Sequence, residues 1–492
     1  MEGLVEFSDK VASTFLGLPF LLVLLGAGCY FTIALRFVQW RRLFHAVRII
    51  RGDYDDPKDT GDITHFQALT TALSATIGVG NIAGVGLAVA LGGPGAIFWM
   101  WVTGVFGMAT KYVTCMLAQV YRKVHPDGSI SGGPMYYIVM GLGKRFKWLA
   151  IWFALFGAIA SMGIGNMAQS NSMAEAFRDE FGPWIYGHVV SEKALTFQIG
   201  PYQGNGINIV LGLFISLVVG LVIIGGIKRI GKVASRLVPS MCILYVLGAL
   251  FILTLNYKAI PDAFWLIFKH AFTPTSAVGG FAGATLLYTI TRGVRRAMFS
   301  NEAGLGSAPI AHAAAKTEEP AREGLVAMVG PMVDTLLICT LTALTIITTG
   351  MWSSGQKGAV LTKSAFKEGI EFELLGAHIN PGGLIVALGL ILFAISTAIS
   401  WSYYGDRCTE FLFGSRAIVV YRWIFVFFLF VGANTDLDIV WNFSDATMFF
   451  MAFPNLIASI ALAGVVVKMT QEYFSKPQIP FRRQKGNDGT KR

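Results

Sequence analysis

Ser74-Ala75-Thr76-Ile77-Gly78-Val79-Gly80-Asn81 and Ser300-Asn301-Glu302-Ala303-Gly304-Leu305-Gly306-Ser307 carry one pattern, S-x-x-x-G-x-G-(N/S), in two apolar regions far apart in the chain. Each such glycine weakens a helix by roughly 1 kcal/mol relative to alanine. In a bilayer the backbone groups so released need partners, and an interrupted helix survives only where protein or a polar cavity supplies them. Interrupted hydrophobic segments at matching places in two halves of a chain point to a transporter's binding site. Small-residue packing between helices also uses closely spaced glycines. Packing alone leaves Asn81, Asn301 and Glu302 beside those glycines without a reason.

The surroundings are those of a membrane protein. Hydrophobic residues make up 54% of the 492 and charged residues 14%, against about 25% charged in soluble domains. Runs of roughly twenty apolar residues recur along the chain, each enough to cross a hydrocarbon core of about 30 Å. They read as one membrane domain followed, after Lys476, by a basic tail of disordered composition. The first run, Val11 to Leu35, follows Glu2, Glu6 and Asp9 and precedes no small-residue cleavage site, so it reads as a retained helix and not a signal peptide. Five scattered cysteines without C-x-x-C read as buried free thiols, and the seven histidines form no ligand cluster.

Eleven spanning helices are expected, at about 11–35, 65–91, 95–120, 147–176, 206–227, 233–256, 281–315, 324–349, 383–411, 417–433 and 438–468. With the amino terminus outside, most of the 39 lysines and arginines face the cytoplasm. Lys10, Arg178, Lys193, Lys258, Lys269, Lys357, Lys363 and Lys367 lie outside, and Arg292, Arg295 and Arg296 fall within the seventh span. That asymmetry puts the carboxy-terminal tail in the cytoplasm. The net charge of +10 then faces anionic lipid and is no nucleic-acid footprint. Setting the first helix aside leaves ten, and the glycine patterns open the first and the sixth of these, running in opposite directions. The expected architecture is therefore all-α and polytopic: an extra helix and basic loop (1–64), two five-helix repeats of inverted topology (65–256 and 257–470) and the tail (471–492).

Thr70-Thr71-Ala72-Leu73-Ser74-Ala75-Thr76-Ile77-Gly78-Val79-Gly80-Asn81-Ile82-Ala83-Gly84-Val85 resembles the signature of the alanine/glycine:cation symporter family, the sodium:alanine symporters. Ser131-Gly132-Gly133-Pro134-Met135-Tyr136-Tyr137 and the run from Phe299 to Pro309 are similar to it too, the last most specifically. The resemblance implies the leucine-transporter fold, an extra helix ahead of the core, and sodium-coupled uptake of small neutral amino acids such as alanine and glycine. A comparatively long external stretch, about Phe177 to Asn205, departs from the pattern.

A zwitterionic substrate needs donors for its carboxylate and acceptors for its ammonium. The half-helix that begins after Gly80 offers free N–H groups, which favour an anion. Carbonyls released near Thr76 to Gly78 suit a cation. Thr76, Gly78, Gly80 and Asn81 are therefore expected at the substrate. Asn166, Gln169 and Ser172, spaced by three, share a helix face that looks into the cavity or onto a neighbouring helix. Gln169 is the expected substrate contact. Thr397 lies roughly 20 Å along its helix from Pro381, near mid-membrane, with Trp401 four residues on and on the same face. A tryptophan at that depth is no interfacial anchor. It reads as a pocket wall, with Phe299 beside the second break, or as plain packing. In the leucine-transporter fold adjacent hydroxyls here complete a sodium site with carbonyls of the first broken helix. The resemblance carries that role onto Ser396 and Thr397, with Ser74 and Thr76 on the broken helix. Asp334 and Glu302, acids inside spans, read as structural ion pairs, Glu302 with Arg292, Arg295 or Arg296, or else as ion or proton carriers.

The sequence thus reads as a multi-pass cell-membrane transporter with sodium as coupling ion and no other cofactor. A proton-coupled symporter using Asp334 or Glu302, and a non-transporting amino-acid sensor, are the alternatives. A channel would need a continuous polar pore, and an enzyme a metal or nucleophile constellation, and neither is legible.

Overall fold

Where the apolar runs are long, the chain is helical. The computed structural model describes residues 17–189, 195–199, 202–273, 286–370, 372–374, 377–379, 381–435 and 437–481. Helix α1 spans Leu18–Ala34. Helix α2 (His65–Thr76) starts on a reciprocal cap: the Gln67 N–H donates to the Thr64 hydroxyl at 3.2 Å, and the Thr64 N–H to the Gln67 side chain at 3.1 Å. A wide turn of π geometry over Gly80–Gly84 leads into α3 (Val85–Gly92), and the two arms are bent by 54°. Helix α4 is Gly95–Val120; α5 (Lys147–Met162) passes through a second wide turn, Gly163–Met167, into α6 (Ala168–His188). Helices α7 (Gly206–Ile223), α8 (Gly226–Leu255) and α9 (Ile260–Phe272) follow.

The second glycine pattern ends α10 (Leu286–Asn301) ahead of a short α11 (Ala308–His312). Helix α12 (Pro320–Pro331) runs through a wide turn at Met332–Cys339 into α13 (Thr340–Thr348). Helices α14 (Gly358–Gly369), α15 (Gly382–Phe413), α16 (Ala417–Ala433), α17 (Leu437–Ala461) and α18 (Ala463–Ser475) follow, and shorter helices lie at Val38–Arg41, Leu43–Ile50 and Pro134–Tyr137. Three two-stranded antiparallel hairpins join them: β1 (Lys123–Val124) with β2 (Ile130–Ser131), β3 (Thr196–Ile199) with β4 (Tyr202–Asn205), and β5 (Phe372–Leu374) with β6 (Ala377–Ile379). Among the described residues, the stretch from Phe177 to Asn205 holds the end of α6 and the paired strands β3 and β4, with Thr196 opposite Asn205.

Among the described residues, six helices are long and apolar enough to cross a membrane unaided, and seven if the bent α2–α3 pair counts as one; α1 and α16 are apolar but shorter. The starts of the expected first and seventh spans fall outside the described residues. The distribution of side chains is inside out by the standards of a soluble domain. Leu213, Leu217, Leu247 and Trp423 are exposed, while Asn81, Asn301, Glu323 and Asp334 are buried. So broad an apolar exterior requires hydrocarbon around it. The chain is a multi-pass membrane protein.

Two long helices organise the interior. Helix α4 packs against α1, α9, α10 and α12, and α15 packs against α5, α6, α8 and α16. Small residues set the approach distances. A Cβ on Gly293 would lie 2.4 Å from the carbonyl oxygen of Ala96, so α10 rests on the start of α4 only because residue 293 is glycine.

Candidate functional site

The first break follows from where backbone hydrogen bonds go. In a continuing helix the Gly78 N–H would serve the Ser74 carbonyl; here it donates to Asn81 Oδ1 at 2.9 Å. The Val79 N–H donates to Gln169 Oε1 at 3.3 Å. Carbonyls of Ser74 and Ile77 are left for tertiary partners, and α15 supplies them. Thr397 Oγ1 donates to the Ser74 carbonyl at 3.0 Å and lies 3.4 Å from that of Ile77. Ser396 Oγ lies 2.9 Å from the Phe393 carbonyl and 3.4 Å from the Ser74 carbonyl. The Ser74 hydroxyl returns a bond to the Ser396 carbonyl at 2.7 Å. The two hydroxyls therefore link the Phe393, Ser74 and Ile77 carbonyls in one buried chain of oxygens. Neutral oxygens so arranged can ligate a hard cation.

Of the residues expected there, Ser74, Ser396 and Thr397 come together. Thr76 does not join them: its hydroxyl turns back to the Leu73 carbonyl, 3.3 Å away within α2, and the carbonyl of Ile77 stands in the cluster instead.

Of the expected substrate residues, Asn81, Gln169, Phe299 and Thr397 meet around the two glycines of the first break. A Cβ at Gly78 would sit 2.6 Å from Thr397 Oγ1 and 3.2 Å from Gln169 Oε1, and one at Gly80 would sit 3.0 Å from Phe299 Cδ1. Gln169 also donates to the Ile164 carbonyl at 2.9 Å. Asn166 parts company with it: its amide donates to the Phe425 carbonyl on α16 at 2.6 Å. The wide turn at Gly163–Met167 inserts an extra residue ahead of Gln169, which shifts the expected common face.

Phe299 stacks on Trp441 with ring centroids 4.7 Å apart. The Arg296 guanidinium lies over both rings and donates to Asp445 Oδ2 at 2.6 Å. Trp401 is fully buried, and its indole N–H donates to Glu302 Oε1 at 2.8 Å. Ser307 Oγ donates to the other oxygen of Glu302 at 2.5 Å. Glu302 therefore takes its bonds from an indole and a hydroxyl, while Arg296, one of its expected partners, is turned to Asp445.

Asp334 knits the two glycine motifs together. It accepts from Asn81 Nδ2 at 2.7 Å, from Ser300 Oγ at 2.7 Å and from Thr335 Oγ1 at 2.8 Å, and it forms no ion pair among the described residues. Its expected structural ion pair is thus replaced by neutral donors. Polar residues at the ends of the two motifs, Asn81 closing the first and Ser300 opening the second, were the signal for this cluster.

A second group was not read from the sequence. Glu323, at the start of α12, is buried against His65 at the start of α2 and against His312 Nδ1 at 2.5 Å, at the end of α11. Beside it, the Arg122 guanidinium donates to the carbonyls of Thr60, Ala313, Ala315 and Thr317. The ends of both broken helices are so joined.

Residues 1–485 match the model of the sodium:alanine symporter family. The chain is 44% identical over 471 residues to the sodium/alanine symporter AgcS of Methanococcus maripaludis, covering 94% of this chain and 96% of that one. It is also 44% identical over 465 residues to an uncharacterized transporter of Haemophilus influenzae, with 94% of each covered. Among solved structures it is similar to MhsT in complex with L-phenylalanine, a transporter of the leucine-transporter fold, with a TM-score of 0.56 at 12% identity over 83% of this chain and 98% of that one.

Proposed function

Since the chain belongs to the sodium:alanine symporter family, and so to transporters and not enzymes, we propose that it couples sodium entry to the uptake of a small neutral amino acid, alanine or glycine. The observation that supports this reading is the linkage of the Ser74, Ile77 and Phe393 carbonyls through the Ser396 and Thr397 hydroxyls at the break in α2. Five uncharged oxygens replace the hydration shell of a sodium ion at that spot. The amino acid lies beside it. Its carboxylate takes the N–H groups at Gly78 and Val79 from the Asn81 and Gln169 side-chain oxygens that occupy them now, and the amide NH2 of Gln169 donates to the same carboxylate. Phe299 and Trp401 bound the side chain, and Thr397 contacts both ligands.

Eleven spans, the first outside a 5+5 inverted repeat, with amino terminus out and carboxy terminus in, are the arrangement proposed for the chain in the cell membrane. Inward sodium movement supplies about 2.3 kcal/mol per charge per 100 mV, enough to concentrate a neutral solute. The cage contains no titratable group, which favours sodium over the proton as its ion.

Binding of labelled alanine to purified protein tests the reading. Sodium should tighten it at least tenfold relative to potassium, because two coupled ligands raise each other's affinity by one factor. Equal binding in the two salts would remove sodium from the mechanism.

A further inference from the structure

We propose that Glu302 is a positioning residue for size selection: its carboxylate fixes the Trp401 indole as a wall of the amino-acid pocket, and the hydrogen bond between them sets the discrimination against large side chains. This rests on the transport reading above.

The indole is held at three places. Its root is fixed by Gly165, where a Cβ would lie 2.0 Å from Trp401 Cβ and 2.2 Å from Cγ, so the wide turn after α5 lets α15 come into direct contact there. The Tyr404 ring meets it edge-on at 5.3 Å and 71°. Its far end carries one polar atom, an N–H with donor capacity only, and that atom is given to Glu302. Remove the last of these and the ring keeps its bulk but can turn about its two side-chain torsions.

Glu302 is equally constrained. Its φ is +55°, a left-handed conformation that glycine or asparagine adopts far more readily than glutamate. Non-glycine residues held there cluster where function needs the side chain. The second carboxylate oxygen is taken by Ser307, the residue that closes the same break. The acid is thus set within the broken backbone of one element and reaches to the face of α15 that also carries Thr397, one turn away and against Gly78.

The test uses the full chain in lipid nanodiscs, with tritiated alanine displaced by unlabelled alanine or leucine. The readout is the ratio of the two inhibition constants. Trp401→3-benzothienylalanine, introduced by codon suppression, keeps the bicyclic ring and exchanges only the N–H for sulfur. Glu302→Gly removes the acceptor at a conformation glycine accepts without strain. A hydrogen bond to a charged group is commonly worth enough to shift an equilibrium about tenfold, so each variant should shrink the alanine preference over leucine by about tenfold, and the pair together by no more than either alone. Glu302→Gln retains an acceptor for the indole and should keep the wild-type ratio within about twofold, a rescue that a merely structural role would not give.

Should Glu302→Gly not accumulate in folded form, Trp401→3-benzothienylalanine decides alone. An unchanged ratio in that variant overturns the proposal, as does a glutamine variant as unselective as the glycine one. If the wild-type protein shows no displaceable alanine binding, the transport reading fails and this inference with it, an outcome distinct from a selective wild type whose variants stay selective.

Discussion

Ser396 and Thr397 reach carbonyls that the end of α2 leaves over, and the rest of the cage is backbone. The Ser396→Ala, Thr397→Ala double variant removes two of its oxygens, and the sodium concentration for half-maximal alanine binding should rise at least tenfold. A sodium titration that superimposes on wild type would exclude those hydroxyls. Gln169 holds the Val79 N–H and the Ile164 carbonyl. Truncation to alanine should weaken alanine binding by about 1–3 kcal/mol, measured by equilibrium binding on protein that remains folded. Normal affinity with less folded protein would make Gln169 a helix tie only. Hydroxyls at Ser74, Ser396 and Thr397 were legible because side chains are written in the sequence. The carbonyls were legible only as a stretch, Thr76 to Gly78, because which one is freed depends on the residue at which the helix stops, and it is that of Ile77 that lies against Thr397. Glu302 misled for a similar reason: arginines lie near it in sequence, while its indole partner lies 99 positions away.

Helix boundaries followed apolar length closely, since a segment that fails to span cannot hide its backbone from lipid. The wide turns did not show. Each inserts one residue without changing composition, so the expected common face of Asn166 and Gln169 was split by the turn at Gly163–Met167. That turn also makes a prediction. Gly165→Ala would drive a methyl to 2.0 Å from Trp401 Cβ, part of a rigid side-chain root. Overpacking of this kind typically costs about 1–3 kcal/mol, so the purified variant should melt several degrees below wild type. An unchanged melting temperature would mean that α15 is not seated on that turn.

Both flanks of the breaks are closed. On one side Arg296 pairs with Asp445 above the stacked Phe299 and Trp441; on the other, Glu323 joins His65 to His312 and Arg122 clamps four carbonyls. Alternating access requires these closures to part in turn. Such long-range pairs were beyond the sequence, since His65 and Glu323 lie 258 positions apart, whereas the apolar composition made the membrane class legible and the resemblance of the motifs the fold. Cys339, buried against Asn81 and Ser300, reports on opening. In a variant retaining only this cysteine, Arg122→Ala should accelerate its alkylation several-fold, and an unaltered rate would show that the clamp does not hold the closed form. Sodium coupling is decided by labelled alanine uptake into proteoliposomes under an inward sodium gradient: transient accumulation above the outside concentration is expected with sodium and none with a proton gradient alone. Accumulation driven by protons in sodium-free buffer would contradict it.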